Sequence, residues 1–223
     1  MDSFPFSIVG FDLDGTLLDT RADIGAALNH ALEIAGRPLV PVEHVARLIG
    51  GGVGQTLRAA LAESGGIVEA EVPALQAALL DYYAQNIAVH TRLFAGGEAM
   101  LADLAERGAK LAVVTNKQEA LAVRVIEELG LADHFFTVIG GDTMGPGRAK
   151  PAPDPIHEMI RRAGDAGRAA FVGDTTYDIG AARAAGVPVI AVRFGFHDVP
   201  PDELGADAVI AHFDELVPAL QDL

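Results

Sequence analysis

The stretch SIVGFDLDGTLLDT, residues 7–20, changes character halfway along. Ser7 to Phe11 is a short apolar run stopped by Asp12, the pattern of a buried strand. Side chains alternate along a strand, so Asp12 and Asp14 point one way and Leu13 the other. Gly15 then permits a tight turn, and Thr16 adds a hydroxyl. One strand cannot bury itself, so its partners must lie further along the chain.

They do not lie next in sequence. From Thr20 to about Ala88 the chain is rich in Ala and Leu at helical spacing, with Ile24, Leu28, Ala31, Leu32 and Ala35 on one stripe and Gly36 as the stop. Further helices are expected over 42–48, 53–63 and 69–86, and no strand. After Phe94 the pattern alternates. Helices are expected over 98–107, 118–129, 154–163 and 175–185 and from Asp214 onward, and strands over 110–115, 137–140, 169–173, 187–192 and 208–210. Such alternation predicts an α/β fold, a doubly wound, Rossmann-like parallel sheet with helices on both faces. The early helices then form an insertion. The expected division is a catalytic core of residues 1–18 and 93–223 and an all-helical domain over 19–92. Gly145 to Pro155 reads as a loop within the core.

Composition narrows the classes of function. Half of the 223 residues are hydrophobic and 21% are charged, as in a globular domain with a sizeable core. The formal net charge of -15 disfavours nucleic acid and anionic membranes as partners. The absence of cysteine rules out disulfides, thiolate metal sites and thiol nucleophiles. The N-terminal residues do not resemble a signal peptide, and no apolar run approaches the ~20 residues of a membrane helix. A cytoplasmic protein, monomeric or homodimeric, is the expectation. Only three lysines occur, Lys110, Lys117 and Lys150, so each is informative in so acidic a chain.

Ligands of doubly wound sheets bind beyond the carboxyl ends of the strands. There the sequence gathers Asp12 and Asp14, then Thr115 and Asn116 of the strand end Thr115–Lys117, then Lys150 in a loop, then Asp174 with Asp178 one helical turn on. Four carboxylates in one cleft repel each other unless a hard cation joins them, and an all-oxygen donor set suits Mg²⁺. A metal and Lys150 would attract a phosphoryl group, and Thr115 with the backbone around Asn116 could donate hydrogen bonds to its oxygens. Asp12 can then attack phosphorus, with Asp14 serving first as acid and then as base.

The segments FDLDGTLLDT, VVTNK, AKPAPDP and VGDTTYDI, in this order, closely resemble the four motifs of the haloacid-dehalogenase-like phosphohydrolases. The resemblance spans nearly the whole chain. It implies Asp12 as nucleophile and Asp14 as acid/base. It also implies Mg²⁺ held by the Asp12 carboxylate, the Asp14 backbone carbonyl and Asp174, with Asp178 supporting that set. Thr115, Asn116 and Lys150 would bind the substrate, and the helical insertion would be the family's cap. Within the family, TNK and the cap segment ARLIGGGVGQTL are similar to bacterial phosphoglycolate phosphatases, which makes the expected partner a small phosphorylated metabolite.

Other readings stay open at particular residues. Asp178 also suits the first turn of a helix, where the dipole favours acids. The glycine run from Gly50 to Gly54 is either a helix break or a loop whose backbone approaches a substrate. Arg47 either pairs with a substrate carboxylate or is solvated, and His197 either edges the site or does not. Pyrophosphate, nucleotides and sugar phosphates are alternative substrates, and a sugar-phosphate mutase is an alternative enzyme. A dehalogenase of this kind lacks an acid/base at Asp14's position, and a phosphonate hydrolase needs a cap lysine that is missing before Lys110. A non-catalytic phospho-receiver also gathers Asp, Thr and Lys, but its acceptor ends the third strand and it carries no helical insertion.

Overall fold

The structure, a computed structural model, describes residues 4–165 and 167–223. Strand β1 (Ile8–Phe11) is fully buried and lies at the centre of a six-stranded parallel sheet. The chain then runs through β2 (Leu18–Asp19), helices α1 (Arg21–Ile34), α2 (Val42–Val45), α3 (Val53–Glu63) and α4 (Val72–Gln85), and returns through β3 (Arg92–Leu93). From there it alternates: α5 (Gly97–Glu106), β4 (Lys110–Val114), α6 (Glu119–Glu128), β5 (Phe135–Ile139), α7 (Asp154–Arg162), β6 (Ala169–Gly173), α8 (Thr176–Ala185), β7 (Val189–Val192), β8 (Ala208–Ile210) and α9 (Leu216–Gln221). The sheet order is β5-β4-β1-β6-β7-β8. Strand order reverses around β1, so the crevice for a ligand opens at the ends of β1, β4 and β6.

Period-two alternation sorts the strand residues onto two faces. Val9, Phe11, Leu111, Val113, Val172 and Ile190 pack on one side with Leu101 of α5, Val125 of α6 and Leu216 of α9. Ile8, Ala112, Val114, Phe171 and Val189 pack on the other with Met159 of α7 and Ile179 of α8. Gly10 falls on this second face, where a Cβ would overlap Met159 Sδ and crowd Phe171. Its missing side chain lets α7 sit close over β1.

The helical reading of the early block holds in outline. Its second helix ends at Val45 and tightens to a 3-10 turn over Ala46–Leu48, and its fourth begins at Val72 rather than 69, with a proline in its first turn. Strand β5 begins at Phe135, two residues before the expected 137, and its register with β4 shifts between Leu111 and Ala112. Leu28 and Leu32 of α1, Leu57 of α3 and Leu79 of α4 join the same apolar cluster as the first face of the sheet.

Two features at the base of this block were not anticipated. Strands β2 and β3 pair antiparallel, Leu18 with Leu93 and Asp19 with Arg92, so the chain leaves and rejoins the core side by side. Asp23, only 2% exposed, accepts hydrogen bonds from His90 N (2.9 Å), Thr91 N (2.8 Å) and Thr91 Oγ1 (2.7 Å). A single carboxylate of α1 thus ties down the returning chain. Asp23→Ala leaves those donors unpaired beside a buried void and should lower stability by about 2–3 kcal/mol, read from urea unfolding midpoints. A loss under ~0.5 kcal/mol would remove Asp23 as the tie.

Among the described residues, no helix is long and apolar enough to cross a membrane.

Candidate active site

The turn after β1 is built to present two acids. Gly15 adopts φ +88°, and a Cβ there would overlap Asp174 Oδ2 and press on Phe196. The chain folds back through Leu17 N to Leu13 O (3.0 Å) and Leu18 N to Leu13 O (2.9 Å), with Leu13 buried in the core. Asp12 and Asp14 are left at the carboxyl edge, 7% and 9% exposed, and both line a cavity between the sheet edge and helices α1, α3 and α4.

Lys150 reaches this edge from the loop before α7. Its ammonium, on a side chain 2% exposed, donates to Asp12 Oδ1 (2.7 Å), Asp178 Oδ1 (2.6 Å) and Val114 O (2.8 Å). All three of its N–H groups therefore have acceptors. Burial opposes the charged ammonium, but Asp12 and Asp178 outweigh it and raise its pKa above the ordinary lysine value.

Asp174, at the end of β6, is fully buried. Its oxygens accept from Thr16 Oγ1 (2.9 Å) and Phe196 N (2.7 Å). Asp178 Oδ2 accepts from Asp174 N (3.2 Å), Thr175 N (3.0 Å) and Thr175 Oγ1 (2.7 Å), which caps the start of α8. Asp178 thus serves its own helix and the Lys150 ammonium together. Carboxylate oxygens of Asp12, Asp174 and Asp178 all lie within 4.8 Å of one another.

This crowding is visible in the acids' behaviour. Burial, with Asp178 and Asp14 adding to it, pushes the Asp12 carboxyl up to about 6 against the pull of Lys150. Burial, then Asp178 and Asp12, raises Asp174 well above the carboxylate range. With all four acids ionised, Asp12, Asp14, Asp174 and Asp178 face only Lys150 and Lys117 as cations among the described residues, which leaves two negative charges. One divalent ion balances that excess, and the donors are all oxygens, so the residues fit a hard cation.

The expected substrate-binding residues differ in what they do. Thr115 is buried at the end of β4, lines the cavity and accepts from Lys117 N (3.2 Å). The Asn116 amide donates to Gly50 O and Lys150 O, both at 3.0 Å, and its Oδ1 is buried without a partner. Its amide donors therefore bind the glycine loop to the core, while the residue still lines the cavity. Gly50 and Gly52 of that loop both line the cavity. Arg47 does not line it and pairs instead with Glu63 at 2.7 Å, its side chain 55% exposed. His197 stands outside too, its Nε2 held 2.6 Å from Val192 O.

Lys117 was not among the expected site residues. Its ammonium lies 2.8 Å from both Asp14 oxygens and 4.7 Å from the ring centre of Tyr83 on α4. Burial opposes its charge, but Asp14 and then Tyr83 outweigh it and raise its pKa above the ordinary value. The signal was its rarity, since three lysines serve the whole chain and two of them meet at this edge.

Comparison with known proteins agrees with the architecture. The pattern of the haloacid dehalogenase-like hydrolase family matches residues 9–192. A phosphoglycolate phosphatase of Mesorhizobium japonicum is 41% identical over 217 residues, covering 96% of this chain and 95% of that protein. One of Agrobacterium fabrum is 40% identical over 225 residues, covering 99% and 95%. The crystal structure of a predicted phosphoglycolate phosphatase from Haemophilus somnus superimposes with a TM-score of 0.87 at 28% identity, over 97% of this chain and 99% of that one. The chain belongs to the haloacid dehalogenase-like hydrolase family. Within it, the relatives put the chain among the phosphatases.

Proposed function

We propose that the chain hydrolyses small anionic phosphomonoesters, 2-phosphoglycolate foremost, through a phosphorylated Asp12. The observation that carries this reading is that Asp12 and Asp14, from one strand end, both line the cavity while Lys150 holds Asp12 from behind. Asp12 Oδ attacks phosphorus, and the bond from phosphorus to the leaving oxygen breaks as Asp14 delivers a proton to that oxygen. Asp14, now ionised, takes a proton from water, whose oxygen attacks phosphorus and frees phosphate and Asp12. Lys150 steers Asp12 and offsets charge on the phosphoryl oxygens. Thr115 and the backbone N–H groups beside it donate to those oxygens.

Mg²⁺ would be held by the Asp12 carboxylate, the Asp14 backbone carbonyl and Asp174, and when bound it neutralises phosphoryl charge. Asp178 would keep Asp174 and Lys150 oriented. Residues 19–92 would act as a cap over the core, which the flanking β2–β3 pair and the cavity beneath the helices support. The choice of substrate rests on the named relatives.

A panel of phosphate esters compared by kcat/KM tests the reading. 2-Phosphoglycolate should lead pyrophosphate, nucleoside monophosphates and sugar phosphates by about tenfold or more. A sugar phosphate in first place would overturn the substrate choice and leave the chemistry intact. Chelation should abolish turnover and added Mg²⁺ should restore it; full rates in chelator would remove the metal.

A further inference from the structure

Most of the cavity lining is apolar, with Ile24, Val53, Leu79 and Leu121 among its walls. A small polar leaving group needs something there to bind. Lys117 is the only cationic side chain lining the cavity among the described residues, and Arg47 is committed to Glu63 outside it. The two Asp14 oxygens accept from Lys117, and an ammonium has three N–H groups, so one remains. Tyr83 lines the same cavity, stacks against that ammonium and is 3% exposed. Its phenolic oxygen is buried with no hydrogen-bond partner. The remaining ammonium N–H faces the phenolic oxygen, which leaves the phenol O–H as the donor without an acceptor, beside a positive charge.

We propose that Lys117 and Tyr83 form a carboxylate subsite that reads the leaving part of the substrate, Lys117 by charge and Tyr83 by its hydroxyl. The assignment rests on the reading of Asp12 and Asp14 as the phosphoester site. The buried phenol rejects esters with no acceptor at this position, because they leave it unpaired. Core and helical block each supply one donor, so the subsite is complete only while α4 lies over the end of β4.

The test compares two esters that differ only in this group, 2-phosphoglycolate and ethyl phosphate, by kcat and KM in Mg²⁺. Tyr83→Phe keeps the ring and removes only the hydroxyl, so it should fold as before, checked by circular dichroism and melting temperature. It should lower kcat/KM for 2-phosphoglycolate about tenfold, mainly through KM, and change ethyl phosphate less than about twofold. Lys117→Gln should also lose more on the carboxylate ester, and Lys117→Arg should recover part of that loss. Equal losses on both esters would mean that the pair serves Asp14 alone and would overturn the subsite. So would an unmodified protein that treats the two esters alike. If the unmodified protein hydrolyses no phosphate ester at all, the phosphatase reading falls and the subsite with it.

Discussion

Asp12→Asn should slow phosphomonoester turnover by on the order of a thousandfold or more, yet the protein should fold and melt no earlier than the parent. An amide of the same shape cannot attack phosphorus. The fold is expected to survive because Asp12 is a costly residue in the metal-free site. Its pKa, raised to about 6 from 3.8, means that folding disfavours its charged form. A raised acid pKa penalises the folded state as pH climbs above the unfolded value, with the full penalty present above about 6. Asparagine removes that penalty at neutral pH, and Lys150 keeps Asp178 as its partner at 2.6 Å. Kinetics on an aryl phosphate and thermal melts in chelator check the two halves. Near-normal turnover would move the nucleophile elsewhere, and a sharply lower melting temperature would contradict the charge argument.

Lys150→Met should go the other way and cost stability as well as activity. The ammonium satisfies Asp12, Asp178 and the Val114 carbonyl, and its residue is 4% exposed. Methionine fills a similar volume but leaves those carboxylates buried against each other. Removing one member of a buried ion pair costs about 3–5 kcal/mol, so unfolding in chelator should shift by roughly that amount. Saturating Mg²⁺ should return part of it by binding the folded form. Adding Asp178→Asn to Lys150→Met should return part without metal. Urea midpoints for the single and double variants decide this: a cost under about 1 kcal/mol for Lys150→Met would mean that the cluster does not depend on this cation.

Much of this arrangement could be read from the chain, and the reason is topological. In a doubly wound sheet the carboxyl ends of the strands converge, so Asp12, Thr115, Lys150, Asp174 and Asp178 meet once the strands are recognised. Lys117 escaped because it lies in the turn beyond β4, where the direction of a side chain depends on neighbours far away in sequence. Asp14 and, from α4, Tyr83 hold that lysine at the cavity. Asp23 carried a signal that was passed over: it sits four residues before Ala27 and eight before Ala31, on the buried stripe of α1. An acid on an apolar stripe needs partners, here His90 and Thr91. Strands β2 and β3 are two residues each and offer no alternation to detect. The amide of Asn116 was assigned to substrate by position, while its actual acceptors, Gly50 O and Lys150 O, come from two other loops.

The β2–β3 pair has an evolutionary consequence. Because Leu18 faces Leu93 across one strand spacing, about 4.8 Å, the two crossings are already as close as the ends of a hairpin. A turn of a few residues would bridge them without disturbing β1 or β4. The chain between the two crossings could then change in length while the acids at the sheet edge stay in register, provided the apolar residues it covers stay covered. A lineage built this way can acquire new substrates by recombination at two neighbouring points, leaving its bond-breaking machinery inherited intact.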